Sequence, residues 1–402
     1  MREHRAMSPR TVAPQKASGV QPPVSREQLD AWSGLVFPGA GVQEHFSPLD
    51  GSLIASLPQA SPNDVDSACD IARAAQHSWK SRSFRERKAI MMRFHDLVLQ
   101  HQATLLDVVQ WETGKSRASA FDEVADIALT ARYYANSAEG HLRPEKRQGA
   151  LPFVTSTRVH FQPKGVVGMI TPWNYPLTLP LSDAIPALMA GNGIVLKPDA
   201  QTPFSALSAL HLLYQAGLPE GLFQVVIGDG PDLGSAIIEN ADFVMFTGST
   251  ATGKIVSEQA ARRLIGFSAE LGGKNPMIVL DDAPLERALQ GAINASFSNA
   301  GQLCMSIERL YVHEGIYDRF VPRFIAEVEK LRLGSAFDFS YEVGALISAE
   351  HLEKVQAHVT DALERGATLL TGGKHRPDIA PYAFEPTLLT DVSEDMMLRR
   401  AE

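Results

Sequence analysis

From Ser61 onward apolar residues recur at helical spacing. Val65, Ala68, Ile71, Ala72 and Ala75 follow a Ser61 cap and a proline at the first helical position. Further helices are predicted over about 84–101, 103–113 and 119–140, and residues 153–163 alternate as a strand or hairpin segment does. After Lys164 the pattern changes. Short β-rich runs at Val166–Thr171, Ile194–Lys197, Phe223–Ile227, Phe243–Thr247 and Ile265–Ala269 are separated by helix-like stretches at 178–190, 203–216, 231–239 and 252–263. This alternation predicts an α/β fold with a parallel, doubly wound sheet. From Asn275 a second alternating unit begins. It has strands at Met277–Leu280, Leu310–His313, 368–371 and 383–389, and helices at about 284–297, 315–331 and 349–364.

Composition narrows the class. Hydrophobic residues make up 45% and charged residues 21% of 402, an ordinary globular balance, and the net charge of −9 argues against a nucleic-acid surface. Two cysteines, Cys69 and Cys304, cannot build a disulfide framework, which points to a reduced, cytoplasmic setting. No apolar run reaches the roughly 18 residues a membrane span needs. Residues 1–30 are rich in Pro, Ser, Gln and Arg without an apolar core, which predicts a flexible arm rather than a secretory signal.

Ligands of doubly wound sheets bind beyond the carboxyl ends of the strands. Here those ends read Thr171-Pro172-Trp173-Asn174, Lys197-Pro198-Asp199-Ala200, Gly228-Asp229-Gly230 and Thr247-Gly248-Ser249-Thr250. Gly248 to Lys254 matches seven positions of a phosphate-binding P-loop, but Ile255 stands where a metal-holding Ser or Thr is required. A Gly-Ser turn opening a helix still offers free N–H groups to a phosphate. The glycines of Gly228-Asp229-Gly230-Pro231-Asp232-Leu233-Gly234 do not have the G-x-G-x-x-G spacing. Lys197 reads either as a solvated strand-end lysine or as a donor to ribose hydroxyls or a 2′-phosphate.

A thiol and a base are the minimum for covalent acyl chemistry. Cys304 lies in Ser298-Asn299-Ala300-Gly301-Gln302-Leu303-Cys304, whose polar neighbours suggest a mobile frame rather than a packed core. Glu270 follows a mostly apolar strand, and partial burial there is expected to raise its pKa and make it a usable base. Pro172 and Pro176 bracket Asn174, so a rigid loop could aim its amide at a developing oxyanion. Cys69 sits on the apolar face of a helix and reads as core. No cluster has metal-ligand spacing, and none of the 12 histidines is assigned to catalysis.

Together these segments resemble the aldehyde dehydrogenase superfamily. The resemblance is carried by Thr171-Pro172-Trp173-Asn174-Tyr175-Pro176, Lys197-Pro198, Phe246-Thr247-Gly248-Ser249, Glu270-Leu271-Gly272-Gly273-Lys274 and Gly301-Gln302-Leu303-Cys304. The wording around Cys304 and Lys197 is most similar to a bacterial group of NADP-dependent succinate-semialdehyde dehydrogenases. The resemblance implies a Rossmann-like NAD(P)-binding domain over 36–274, with an oligomerisation hairpin near 145–163. It also implies a catalytic domain over 275–402 and a flexible arm over 1–35. It implies Cys304 as nucleophile, Asn174 and the Cys304 N–H as oxyanion donors, and Glu270 as the base that hydrolyses a thioester. The cofactor is implied to lie along Trp173, Asn174, Lys197, Pro198, Asp199, Ala200, Gly228, Gly248, Ser249, Leu271 and Glu402. A small aldehyde as substrate and a homo-oligomeric parent are implied as well.

Three departures bear on this. Ala200 stands where many NAD-preferring relatives carry a ribose-binding Glu, which implies NADP over NAD unless Asp199 points inward. Ser182 stands where better-known succinate-semialdehyde dehydrogenases carry an Arg that would grip a distal carboxylate. The family's pattern continues past Glu402, so a C-terminally truncated chain is expected. A catalytically silent nucleotide-binding fragment, a dehydrogenase for another aliphatic or aromatic aldehyde, and an acyl transfer to coenzyme A are the alternatives.

Overall fold

The computed structural model describes residues 22–151 and 153–401. Helix α1 (Arg26–Ser33) and an antiparallel hairpin of β1 (Gly41–Phe46) and β2 (Leu53–Gln59) come first. Within the arm expected over 1–35, residues 26–33 therefore form a helix. A Ser25–Gln28 capping box starts it, and Leu29 and Trp32 bury its apolar face. The hairpin was not legible in the alternation. It carries Phe37 and Ala60, whose N–H groups donate to the carbonyls of Val225 and Ile227 at 2.8 Å, against the central sheet.

Four helices follow: α2 (Pro62–Trp79), α3 (Phe84–Gln100), α4 (Gln102–Thr113) and α5 (Arg117–Leu142). Ser61 and Ser83 close capping boxes on α2 and α3, and Gly114 ends α4 in the left-handed conformation. In the anticipated hairpin region β3 (Glu145–Arg147) and β4 (Thr157–Val159) pair.

The α/β alternation then runs β5 (Val166–Ile170), α6 (Thr178–Met189), β6 (Gly193–Lys197), α7 (Pro203–Gln215), β7 (Phe223–Val225), α8 (Gly230–Asn240), β8 (Phe243–Gly248), α9 (Thr250–Arg262) and β9 (Gly266–Leu271). The sheet is parallel throughout, in the order β7-β6-β5-β8-β9. Val, Ile and Leu dominate β5 and β6 because helices cover both faces, and all five residues of β6 are buried. The strand order reverses between β5 and β8, the switch point at which such sheets hold dinucleotides.

The second unit holds β10 (Asn275–Val279), α10 (Leu285–Phe297), β11 (Ile307–Val312), α11 (Glu314–Val328), α12 (Ala349–Glu364), β12 (Thr368–Thr371) and β13 (Leu388–Thr390). β10 and β11 are parallel, and β12 and β13 are antiparallel. The strand expected over 383–389 shrinks to Leu388–Thr390, and Phe384 forms only an isolated bridge to His375. Pro386 interrupts the run and removes a ladder donor. Among the described residues no helix is long and apolar enough to cross a membrane.

Candidate active site

The five strand ends lie at one edge of the parallel sheet. Thr171 to Asn174 follow β5, Lys197 to Ala200 finish and follow β6, and Gly228 follows β7. Gly248 and Ser249 close β8, and Glu270 and Leu271 close β9. Thr247 pairs with Glu270 and Gly248 with Leu271, so the β8 and β9 motifs are level at one edge.

Lys197 is buried rather than solvated, at 6% exposure. Burial holds its ammonium below the ordinary lysine pKa, and Asp199 and Asp229 work against that shift. Among the described residues its Nζ reaches only the Pro198 carbonyl, at 3.3 Å. Asp199 is engaged within its own turn. Its Oδ1 accepts from the Gln201 backbone N–H at 2.9 Å and caps its own turn. Ala200 carries no acid. Its carbonyl lies 2.6 Å from His45 Nδ1, so that ring nitrogen bears the proton. His45, 1% exposed, supports the loop from beneath and was not singled out in the sequence.

Three features fit a dinucleotide. Gly228 has φ 155°, and a Cβ there would meet the Leu233 side chain at 2.8 Å, so only glycine suits this close turn at the mouth. Ser249 caps α9 by accepting the Thr252 N–H, which leaves the remaining first-turn amides of a 13-residue helix facing the crevice mouth. A Cβ on Gly248 would strike the Phe246 ring at 2.7 Å, so the backbone can run flat along the site only without a side chain.

Asn174 has an assignable orientation. Its Oδ1 accepts the Tyr175 N–H at 3.1 Å, which turns Nδ2 toward the Gln302 carbonyl at 3.2 Å, two residues before Cys304. Asn299 sits between them: its Nδ2 donates to the Asn174 and Gln302 carbonyls, both at 3.0 Å. The frame of Cys304 is therefore hydrogen-bonded to its surroundings rather than open. Asn299 and Ala300 adopt positive φ (51° and 56°), Asn299 is buried, and Gln302 Oε1 accepts the Ile347 N–H at 3.0 Å. The polar residues of this turn are hydrogen-bonding struts. Their spacing alone gave no sign of it, because their partners lie on three distant segments, at Ser119, Asn174 and 345–347.

Cys304 is half-buried, and its carbonyl accepts from Asn275 Nδ2 at 2.8 Å. Asn275 lies five residues after Glu270, so the Glu270 and Cys304 segments are stitched together. The Glu270 expectation needs correction. Glu270 is exposed rather than partly buried, because among the described residues β9 is the edge strand of its sheet. Cys69 is buried as expected, and burial pushes its thiol up to about 12. Trp173 is edge-on to His351 of α12, with ring centroids 4.6 Å apart, which ties the second unit to the β5 end. Glu402 lies outside the described residues. The Ala401 carbonyl accepts from Lys274 Nζ at 2.7 Å, four residues from Glu270. No group of His, Cys, Asp or Glu that could hold a metal occurs among the described residues.

A dinucleotide-type parallel sheet with a half-buried thiol and a carboxylate at its mouth is the architecture of a nucleotide-dependent oxidoreductase. The family model named "Aldehyde dehydrogenase family" matches residues 38–402, and the chain belongs to that family. It is 52% identical over 361 residues to the "Putative succinate-semialdehyde dehydrogenase, NADP(+)" of Mycolicibacterium smegmatis, covering 90% of this chain and 69% of that protein. Among solved structures, succinate-semialdehyde dehydrogenase from Burkholderia pseudomallei superposes with a TM-score of 0.85 at 36% identity, over 89% of this chain and 74% of that one. Betaine aldehyde dehydrogenase from Staphylococcus aureus, in complex with NAD+, gives 0.86 at 30% identity over 93% and 77%. The protein is thus an aldehyde-oxidising enzyme with a nicotinamide nucleotide cofactor.

Proposed function

We propose that the chain oxidises succinate semialdehyde to its acid through a thioester on Cys304, with NADP as the preferred cofactor. The observation that carries the reading is the orientation of Asn174, whose side-chain N–H2 faces the turn that presents Cys304. The Cys304 thiolate adds to the aldehyde carbon, and the carbonyl electron pair moves to oxygen. Asn174 Nδ2 and the Cys304 N–H receive that oxyanion, the kind of stabilisation worth about 10²–10³ in rate. NADP, when bound, supplies the hydride acceptor that converts the adduct to a thioester. Glu270, exposed at the edge of the crevice, takes a proton from water as the water attacks the thioester and frees the thiol. Lys197 and Ala200 would hold the adenosine ribose and leave room for a 2′-phosphate. Ser249 and the start of α9 would hold the pyrophosphate, and Trp173 and Leu271 would line the cofactor.

A second reading, a neutral aliphatic or aromatic aldehyde, is favoured by one observation. Ser182, in place of a carboxylate-gripping Arg, donates to Asp126 at 2.5 Å, so an acid rather than a cation sits there. A substrate panel separates the two. A kcat/KM for succinate semialdehyde at least tenfold above that for butanal and benzaldehyde upholds the first, and the reverse order upholds the second. Exposed Phe153, Val154, Val159 and Phe161 on and beside β4 form the surface proposed for self-association.

A further inference from the structure

We propose that the buried Lys115–Glu123 ion pair is the device that holds Asn174 in its oxyanion-binding position. This rests on the role proposed above for Asn174 and extends it to two side chains that touch no reactant. Both are fully buried, and they form a direct ion pair. Lys115 Nζ donates to the Asn174 carbonyl at 2.7 Å and lies 4.3 Å from the centre of the Tyr175 ring. Glu123 Oε2 accepts the N–H groups of Leu177 and Thr178 at 2.9 and 3.1 Å. One pair therefore grips both ends of the segment 174–178.

The same corner also reaches the nucleophile's turn. Ser119, one helical turn before Glu123, accepts the Asn299 N–H at 3.1 Å, and Asn299 Nδ2 is the second donor on the Asn174 carbonyl. The Gly114 carbonyl accepts the Ala345 N–H at 2.8 Å, two residues from the Ile347 N–H that holds Gln302. Asn174 and the Cys304 turn are thus registered to each other through the α4–α5 corner.

A helix cap alone needs only the carboxylate. It does not need an ammonium reaching past it to the Asn174 carbonyl. Stability is also a weak reason for the pair, since apolar replacements of buried ion pairs are often neutral or better. Positioning is the use that explains every contact, because small displacements of a donor cost much of its effect on a developing charge.

The test needs no cofactor. Cys304 in this chain is alkylated with iodoacetamide in the presence of increasing succinate semialdehyde or, separately, benzaldehyde, and labelling at each cysteine is read by mass spectrometry. Addition of the thiolate to the aldehyde forms the S–C bond and an oxyanion that takes a proton from water. This reversible adduct shields the sulfur. Buried Cys69 reports any opening of the fold. The variants are Lys115→Met and the double variant Lys115→Met/Glu123→Gln, which removes both charges while leaving an oxygen to cap α6. We expect the aldehyde concentration for half-protection to rise about tenfold in both, with Cys69 unlabelled and the rate without aldehyde within about threefold of wild type. If Lys115→Met opens the fold and labels Cys69, the double variant decides. Unchanged half-protection in a folded variant overturns the positioning role. Absence of protection in the wild type, by either aldehyde, overturns the reading of Asn174 and Cys304 and this inference with it.

Discussion

Helices α6 and α7 both leave the mouth of the sheet, and both begin on a buried glutamate borrowed from another helix. At α7, Glu112 accepts the N–H groups of Phe204 and Ser205 and the Ser205 hydroxyl, at 2.6–2.7 Å, and among the described residues it forms no ion pair. At α6, Glu123 does the same for Leu177 and Thr178, but Lys115 lies against it and reaches on to Asn174. Neither helix has a side-chain cap of its own, so each glutamate satisfies amides that would otherwise be buried and orphaned. Burial pushes Glu112 up to about 8. The difference teaches what the extra lysine is for. A lone carboxyl group suffices to anchor the helix under the Lys197–Ala200 loop, whereas the loop carrying Asn174 has a charged strut at each end.

Kinetics should separate the two loops. The largest effect is expected for Asn174→Ala, with kcat down about 10²–10³-fold and the KM for NADP nearly unchanged, because only the oxyanion loses its donor. Lys197→Ala should do the opposite, raising the KM for NADP by roughly 10–100-fold with kcat at saturation largely kept, as loss of a charge-assisted hydrogen bond predicts. Steady-state kinetics that move both constants together in either variant would erase the distinction. Ala200→Glu should move the NADP-to-NAD ratio of kcat/KM toward NAD by about tenfold, since a carboxylate would face the 2′-phosphate.

The smallest effect is on stability. Glu112 ionises less readily when folded than when unfolded. Its contribution is therefore complete below about 4.5 and disappears as pH rises through about 8. Thermal melts of the wild type should fall between pH 6 and 9, by on the order of 2 kcal/mol from this group, and Glu112→Gln should flatten that slope. An identical slope in the variant would assign the loss to other groups.

The parallel sheet was legible because its strands are short apolar runs ended by Gly, Pro or polar turns, and every site motif except that of Cys304 sits at such an end. The β1–β2 hairpin was not, since Pro58 and the polar Gln43, Glu44 and Gln59 blur its alternation. Strand ends placed Asn174 and Lys197 at one edge, and only the family resemblance joined Cys304 to them. Neither could place Lys115, Glu123 or Asn299, whose meaning arises only when α5, the Asn174 loop and the Cys304 turn meet. The burial expected of Glu270 failed for a related reason: an apolar strand reads the same at the centre of a sheet as at its edge.

The central claim is that Cys304 carries the acyl group and Glu270 releases it. It is tested most directly by mixing Glu270→Gln with NADP and succinate semialdehyde and locating any acyl adduct by mass spectrometry. The account predicts one succinyl group on Cys304, with one equivalent of NADPH formed rapidly and slow turnover afterwards. An adduct on another residue, or full turnover without accumulation on Cys304, would contradict it.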